Sequence, residues 1–204
     1  MTILITGFDP FGGEDINPAT EAVRALPDTI ADARVIKGFL PTVFREASSQ
    51  AIALIAQHQP DAVLCVGQAA GRAGITLERV GINIADARIP DNQGHQPVDE
   101  AIDREGPAAY FATLPLRAME RAVKEANLPA SISNTAGTYV CNHLLYSLLR
   151  HADIHQLNTQ IGFIHVPYLD TQAEGKVPPV PFMSLPNITT ALIRCIEALV
   201  ATTT

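Results

Sequence analysis

Cationic runs, CxxC pairs, phosphate-loop glycine patterns and clustered histidines are all missing from this chain. Its 14 Lys and Arg are outnumbered by 21 Asp and Glu, and the formal net charge of −7 leaves no basic face for a nucleic acid. No apolar stretch approaches the length that spans a bilayer, and the N-terminus lacks a basic region followed by an apolar core, so no membrane partner is expected. Only three cysteines occur, Cys65, Cys141 and Cys195; they cannot all pair within one chain, which suits a reducing, cytoplasmic setting. The six histidines are scattered and form no metal-type cluster with cysteine, so neither a metal nor another cofactor is expected. The glycine loops Gly7 to Gly13 and Gly67 to Gly71 fit neither G-x-G-x-x-G nor the GK[ST] pattern. They serve equally well to let backbone approach a small ligand.

What is present is an apolar chain of alternating elements. With 47% hydrophobic and 17% charged residues, the 204 residues exclude disorder and suit one domain, 1–204, with a large core. Thr2 to Thr6, Ala33 to Leu40, Ala62 to Val66, Thr76 to Ala85, a segment ending near Ser133, and Gln160 to Val166 read as strands. Pro18 to Leu26, Val43 to His58, Pro115 to Ala126, a segment from Cys141 and a last one capped by Ser184 read as helices. Pro90 to Pro107 is a long loop. Strand–helix alternation predicts an α/β fold: a mainly parallel twisted sheet with helices on both faces.

The polar segment Ser133 to His143 is the most informative stretch. It runs into a helix whose Leu144, Leu145, Leu148 and Leu149 recur at helical spacing. With Thr138 as N-cap, Cys141 falls in the first turn, where open N–H groups and the helix dipole favour a thiolate. An ordinary cysteine here is a small core hydrophobe, but the position favours a nucleophile.

A nucleophilic cysteine needs a base and an orienting group. His143 points away from Cys141 at i, i+2 spacing. His58, His151 and His155 fall at helix ends or in polar connections, and His95 lies in the long loop. His165 closes an apolar strand just before Val166-Pro167, at the strand edge where open sheets place their sites. For the acid, Glu78 competes with Asp86, Asp91 and Asp99, and the pattern leaves open that Glu78 merely pairs with Arg79 at the surface. Phe8 and Phe11 beside a turn are either core plugs or walls for a flat ligand.

Five blocks in register carry a resemblance: Thr6 to Gly13; Cys65 to Ala69; Glu78 to Val80 through Asp86 to Asn92; Ser133 to His143; and Gly162 to Tyr168. Together they resemble the pyrrolidone carboxyl peptidase (pyroglutamyl peptidase I) family of cytosolic cysteine peptidases. The resemblance implies removal of N-terminal pyroglutamate from peptides by thiol acyl transfer, with Cys141 as nucleophile, His165 as base and Glu78 as orienting acid. It implies that Phe8 and Phe11 sandwich the lactam ring, that Gln68 and Val140 line the pocket, and that Asn17 adds a contact. Arg88, with the Cys141 backbone N–H, is implied in oxyanion stabilisation. It also implies a homo-oligomer, dimer or tetramer. The chain departs at Gly81, where alanine is expected, at Asp170, where proline is common, and in the proline-rich Val177 to Phe182 stretch. The rivals are a phosphorolytic enzyme using the glycine loops, opposed by the lack of a basic group beside Gly12 and Gly13, and a non-catalytic binding module with a buried Cys141.

Overall fold

Ile3, Leu4 and Ile5 are each 0% exposed, because successive residues of one strand point into two different cores. The structure, a computed structural model, describes residues 1–203. Thr204, the last residue of the expected domain, lies outside the described residues. The strands are β1 (Thr2–Phe8), β2 (Thr29–Ile30), β3 (Ala33–Leu40), β4 (Ala62–Gln68), β5 (Ile75–Glu78), β6 (Val80–Ile82), β7 (Ala109–Phe111), β8 (Ala130–Ser133) and β9 (Gln160–Val166). The helices are α1 (Pro18–Ala25), α2 (Glu46–His58), α3 (Leu116–Glu125), α4 (Val140–Ile154), α5 (Asp170–Ala173) and α6 (Leu185–Thr203).

Seven strands form one sheet in the order β2-β3-β1-β4-β9-β5-β8, and β6 and β7 pair separately. The sheet is mainly parallel, as expected, with β2 reversed against β3 and β5 reversed against β9. Helices α1, α3 and α6 share one core with Ile3, Ile5, Leu64, Val66 and Ile164. Helices α2 and α4 cover the other face, over Leu4, Val63, Cys65 and Phe163.

The expected strand Thr76 to Ala85 is two strands. It breaks at Arg79, after which β6 leaves the large sheet for β7. The helix expected from Val43 begins at Glu46, because Arg45 takes φ 62 and Val43 and Phe44 turn inward to be buried. Strands β2 and β7 and helix α5 carry no periodicity long enough to read from sequence. Gly81 is required by packing: a Cβ there would lie 2.9 Å from the Tyr146 backbone nitrogen, where α4 crosses β6. Helix α6, 19 residues with a mean hydropathy of 1.2, is long and apolar enough to cross a membrane, against the sequence expectation. Its apolar face is instead spent on α3 and α1 through Ile188, Leu192, Cys195, Ile196 and Leu199.

His143 shows how α4 binds the fold. Its ring is buried edge-on to Phe44, with centroids 5.6 Å apart, and its proton affinity drops to a pKa of about 4, from burial first and the nearby Arg45 and His95 charges second. Below pH about 6.5 the unfolded chain takes up a proton that the folded chain refuses, so stability falls as the pH drops from about 6.5 to about 4. The loss over that window should be about 3 kcal/mol, at 1.36 kcal/mol per unit. Urea unfolding across this range should show at least that slope, and His143→Gln should reduce it, leaving the part that His165 and His151 contribute with the same sign.

Candidate active site

The antiparallel pairing of β5 with β9 creates the site. Thr76 lies directly across from His165 and Glu78 across from Phe163, so Glu78 and His165 are diagonal neighbours on one face of the sheet. At that spacing two long side chains can meet. His165 Nδ1 donates to Glu78 Oε1 at 2.8 Å. The partner fixes the tautomer: Nδ1 carries the proton and Nε2 is left as a base. Glu78 is fully buried, with its Oε2 unpartnered among the described residues. Burial lowers the proton affinity of His165, and the Glu78 hydrogen bond opposes that. The resting imidazole is therefore neutral.

Cys141 reaches the same place from above the sheet. Gly67 lies opposite His165 in register, and a Cβ on it would stand 3.1 Å from Cys141 Sγ and 2.8 Å from Phe163 Cζ. The bare glycine makes the seat for the sulfur. The residue ahead of α4 is Tyr139, not Thr138, and it gives no side-chain cap. The Thr138 hydroxyl is used elsewhere, donating to the Asp86 carbonyl at 2.7 Å. Tyr139 thus leaves the first-turn N–H groups of α4 without a side-chain cap, and the Cys141 N–H meets that residue's own sulfur.

The thiolate expected from the helix end is overruled. Burial, with the Glu78 charge adding and Arg72 opposing, pushes the Cys141 thiol up to about 12. Cys65 and Cys195 are likewise pushed up to about 12 by burial, but only Cys141 is partly exposed. Cys141 and His165 line one cavity of about 400 Å³ and make no hydrogen bond to each other. The pair rests as neutral thiol and neutral imidazole, a separation common in unliganded sites that closes when substrate binds. The cavity opens at the carboxyl ends of β4 and β9, as expected for an open sheet. A second cavity, about 470 Å³ and lined by Asp61, His151 and His155, sits at the opposite end of those strands, away from the three cysteines.

A model of the family described as pyroglutamyl peptidase matches residues 1–202. The chain belongs to the pyroglutamyl peptidase family. It is 52% identical over 200 residues to pyrrolidone-carboxylate peptidase 1 of Caldanaerobacter subterraneus, covering 98% of each chain. It is 53% identical over 199 residues to the pyrrolidone-carboxylate peptidase of Thermosipho africanus, covering 98% of this chain and 97% of that one. Among solved structures, pyroglutamyl peptidase I of Bacillus amyloliquefaciens superposes with a TM-score of 0.94 at 45% identity, covering 98% of this chain and 97% of that one. A mutant pyrrolidone carboxyl peptidase of Pyrococcus furiosus superposes with a TM-score of 0.96 at 39% identity, covering all of both chains.

The residues that the resemblance to pyroglutamyl peptidases implied divide into two groups. Phe11, Gln68, Arg88, Cys141 and His165 line the cavity. Phe11 packs against Tyr139 with ring centroids 5.9 Å apart, and Gln68 Oε1 accepts from Gln172 Nε2 at 3.0 Å. Arg88 is exposed at the rim with no protein partner among the described residues. Phe8, Asn17 and Val140 do not line it. Phe8 is a core residue stacked toward Phe163, and Val140 is buried at the start of α4. Asn17 caps α1, accepting from Ala19 N, and its Nδ2 donates to the Asp9 carbonyl, so it holds the Phe8 to Phe11 loop from behind.

Of the competing acids, Asp91 is spent on the backbone N–H groups of Phe44, Gln93 and His95, and Asp86 sits at the rim. Arg79 pairs with Asn134, not with Glu78. Sequence reasoning missed Arg72, which contacts Glu78 and lies in no pattern that marks it, and Tyr139, which walls the cavity and was passed over within the Ser133 to His143 block. The seat of the sulfur gives a direct test. Gly67→Ala should force Phe163 and the thiol aside and lower stability by about 1–3 kcal/mol, read by denaturant unfolding.

Proposed function

We propose that this chain removes N-terminal pyroglutamate from peptides with Cys141 as nucleophile, His165 as general base and acid, and Glu78 as the orienting carboxylate. The observation that carries the residue assignment is the buried 2.8 Å contact between His165 Nδ1 and Glu78, in the same cavity as a cysteine at an uncapped helix start. As substrate enters, His165 Nε2 takes the Cys141 proton and Sγ bonds to the pyroglutamyl carbonyl carbon. The oxyanion falls to the open N–H groups at the start of α4, with Arg88 at the rim. The imidazolium, steadied by Glu78, then gives its proton to the leaving amine as the C–N bond breaks. Water attacks the thioester with His165 again as base, releasing the free acid and the thiol.

The raised thiol fits this order. A neutral resting pair means that proton transfer accompanies attack, so catalysis depends on the imidazole being both neutral and oriented. A cyclised N-terminus carries no charge, and the cavity offers it Phe11, Tyr139 and the free amide nitrogen of Gln68. A free α-ammonium would lose its hydration there without gaining a partner. Phe11 is the wall that touches the lactam ring in this reading, and Phe8 supports it from the core. Three free cysteines suit the cytoplasm, and assembly into a dimer or tetramer remains part of the proposal, open to sedimentation.

Cys141→Ala should abolish release of the chromophore from a pyroglutamyl anilide. Iodoacetamide should label Cys141 ahead of Cys65 and Cys195, with activity lost in step. Glu78→Gln should keep the fold and lower turnover on the order of 10²-fold or more. Full activity in either variant overturns the assignment.

The two phenylalanines should separate. Phe11→Ala should lower kcat/KM by the equivalent of about 1–3 kcal/mol while leaving the melting temperature nearly unchanged. Phe8→Ala should destabilise the fold by about 3–5 kcal/mol. Anilide kinetics paired with thermal unfolding of both variants distinguishes wall from core.

A further inference from the structure

Arg72 brings a guanidinium into the site from the loop between β4 and β5, and the mechanism above gives it no step. Its Nη1 donates to Glu78 Oε1 at 2.5 Å, the same oxygen that accepts from His165, and also to Thr76 Oγ1. Its Nη2 donates to the Thr135 carbonyl at 3.1 Å. Thr76 lies across from His165 on the paired strand, and Thr135 lies in the loop that delivers Cys141 to the cavity. One side chain therefore ties together the strand of the acid, the strand position facing the base and the approach to the nucleophile.

The electrostatics give the tie a purpose. The Glu78 side chain is 0% exposed, whereas that of Arg72 is 25% exposed. A carboxylate taken out of water without an opposite charge reverts to the neutral acid, and a neutral acid cannot steady an imidazolium. A neutral imidazole does not supply that charge at rest; Arg72 does. The same cation lowers the proton affinity of the thiol against burial and the Glu78 charge. It also opposes protonation of His165, so the base stays free until the thiol proton reaches it.

We propose that Arg72 is a positioning residue for the reaction: it supplies the countercharge of Glu78 and locks that carboxylate, Thr76 and the Thr135 loop into one register beneath Cys141. The proposal rests on the assignment of Cys141, His165 and Glu78 given above. Arg72 acts through Glu78, not on the substrate.

The experiment compares Arg72→Met, Arg72→Lys, Glu78→Gln and the Arg72→Met/Glu78→Gln double variant, each with its circular dichroism and anilide kinetics. Arg72→Met should lower kcat roughly 10–100-fold, as loss of a partner that orients a reactive group does, with KM little changed. Iodoacetamide should alkylate its Cys141 more slowly than that of the wild type at the same neutral pH, a change that mere loosening of a loop would not produce. Arg72→Lys, which keeps the charge and loses the fork, should recover part of both losses and guards against a Met variant that fails to fold. In the Glu78→Gln background the Met substitution should cost little more, because the two act as one unit. Four results overturn the proposal: turnover near wild type in Arg72→Met, a raised KM with unchanged kcat, losses that multiply fully in the double variant, or unchanged alkylation. An active Cys141→Ala or Glu78→Gln would instead mark failure of the underlying assignment.

Discussion

A full negative charge held out of water is the constraint around which this site is built. Glu78 sits with no exposure at the end of β5, and its position follows from the antiparallel run of that strand beside β9. Run parallel over the same stretch of β9, β5 would set Glu78 beside Val166, on the face of the sheet away from His165. The chain reaches that strand through the short loop after β4 that carries Arg72, and after Arg79 β6 leaves the sheet for β7. Charge, strand direction and loop length are thus one solution to one electrostatic problem.

Two effects compete at Cys141, and their sizes decide the resting chemistry. The start of a helix favours a thiolate by an amount on the order of 1 kcal/mol. Burial acts the other way and carries the thiol up to about 12. The larger effect wins. In the proposed mechanism the helix start acts later, on the negative oxygen that forms during attack, when its uncapped N–H groups have a charge to meet.

Much of this was legible in the chain. Ala33–Leu40 and Gln160–Val166 were bounded by their apolar patterning alone, and Cys141 and His165 by their places at helix start and strand end. The direction of β5 was not legible, since a four-residue strand reads the same either way. Thr138 looked like a cap because the sequence cannot show that Asp86 would claim its hydroxyl. Phe8 and Phe11 stand three residues apart in one turn, and only the fold sends one ring to the core and the other to the cavity. Arg72 gave no signal, because an arginine in a glycine loop is ordinarily a solvated charge, and its partners lie four, six and 63 positions away.

The protonated resting sulfur has a consequence beyond catalysis. Peroxide and other oxidants attack thiolate far faster than thiol, and the first oxidised product opens a ladder whose upper rungs are irreversible. In the proposed mechanism the sulfur loses its proton only as a peptide arrives, so it is in its reactive form when the cavity mouth is already filled. On that mechanism, the burial that withholds a ready nucleophile also keeps the sulfur in its less oxidisable form between turnovers.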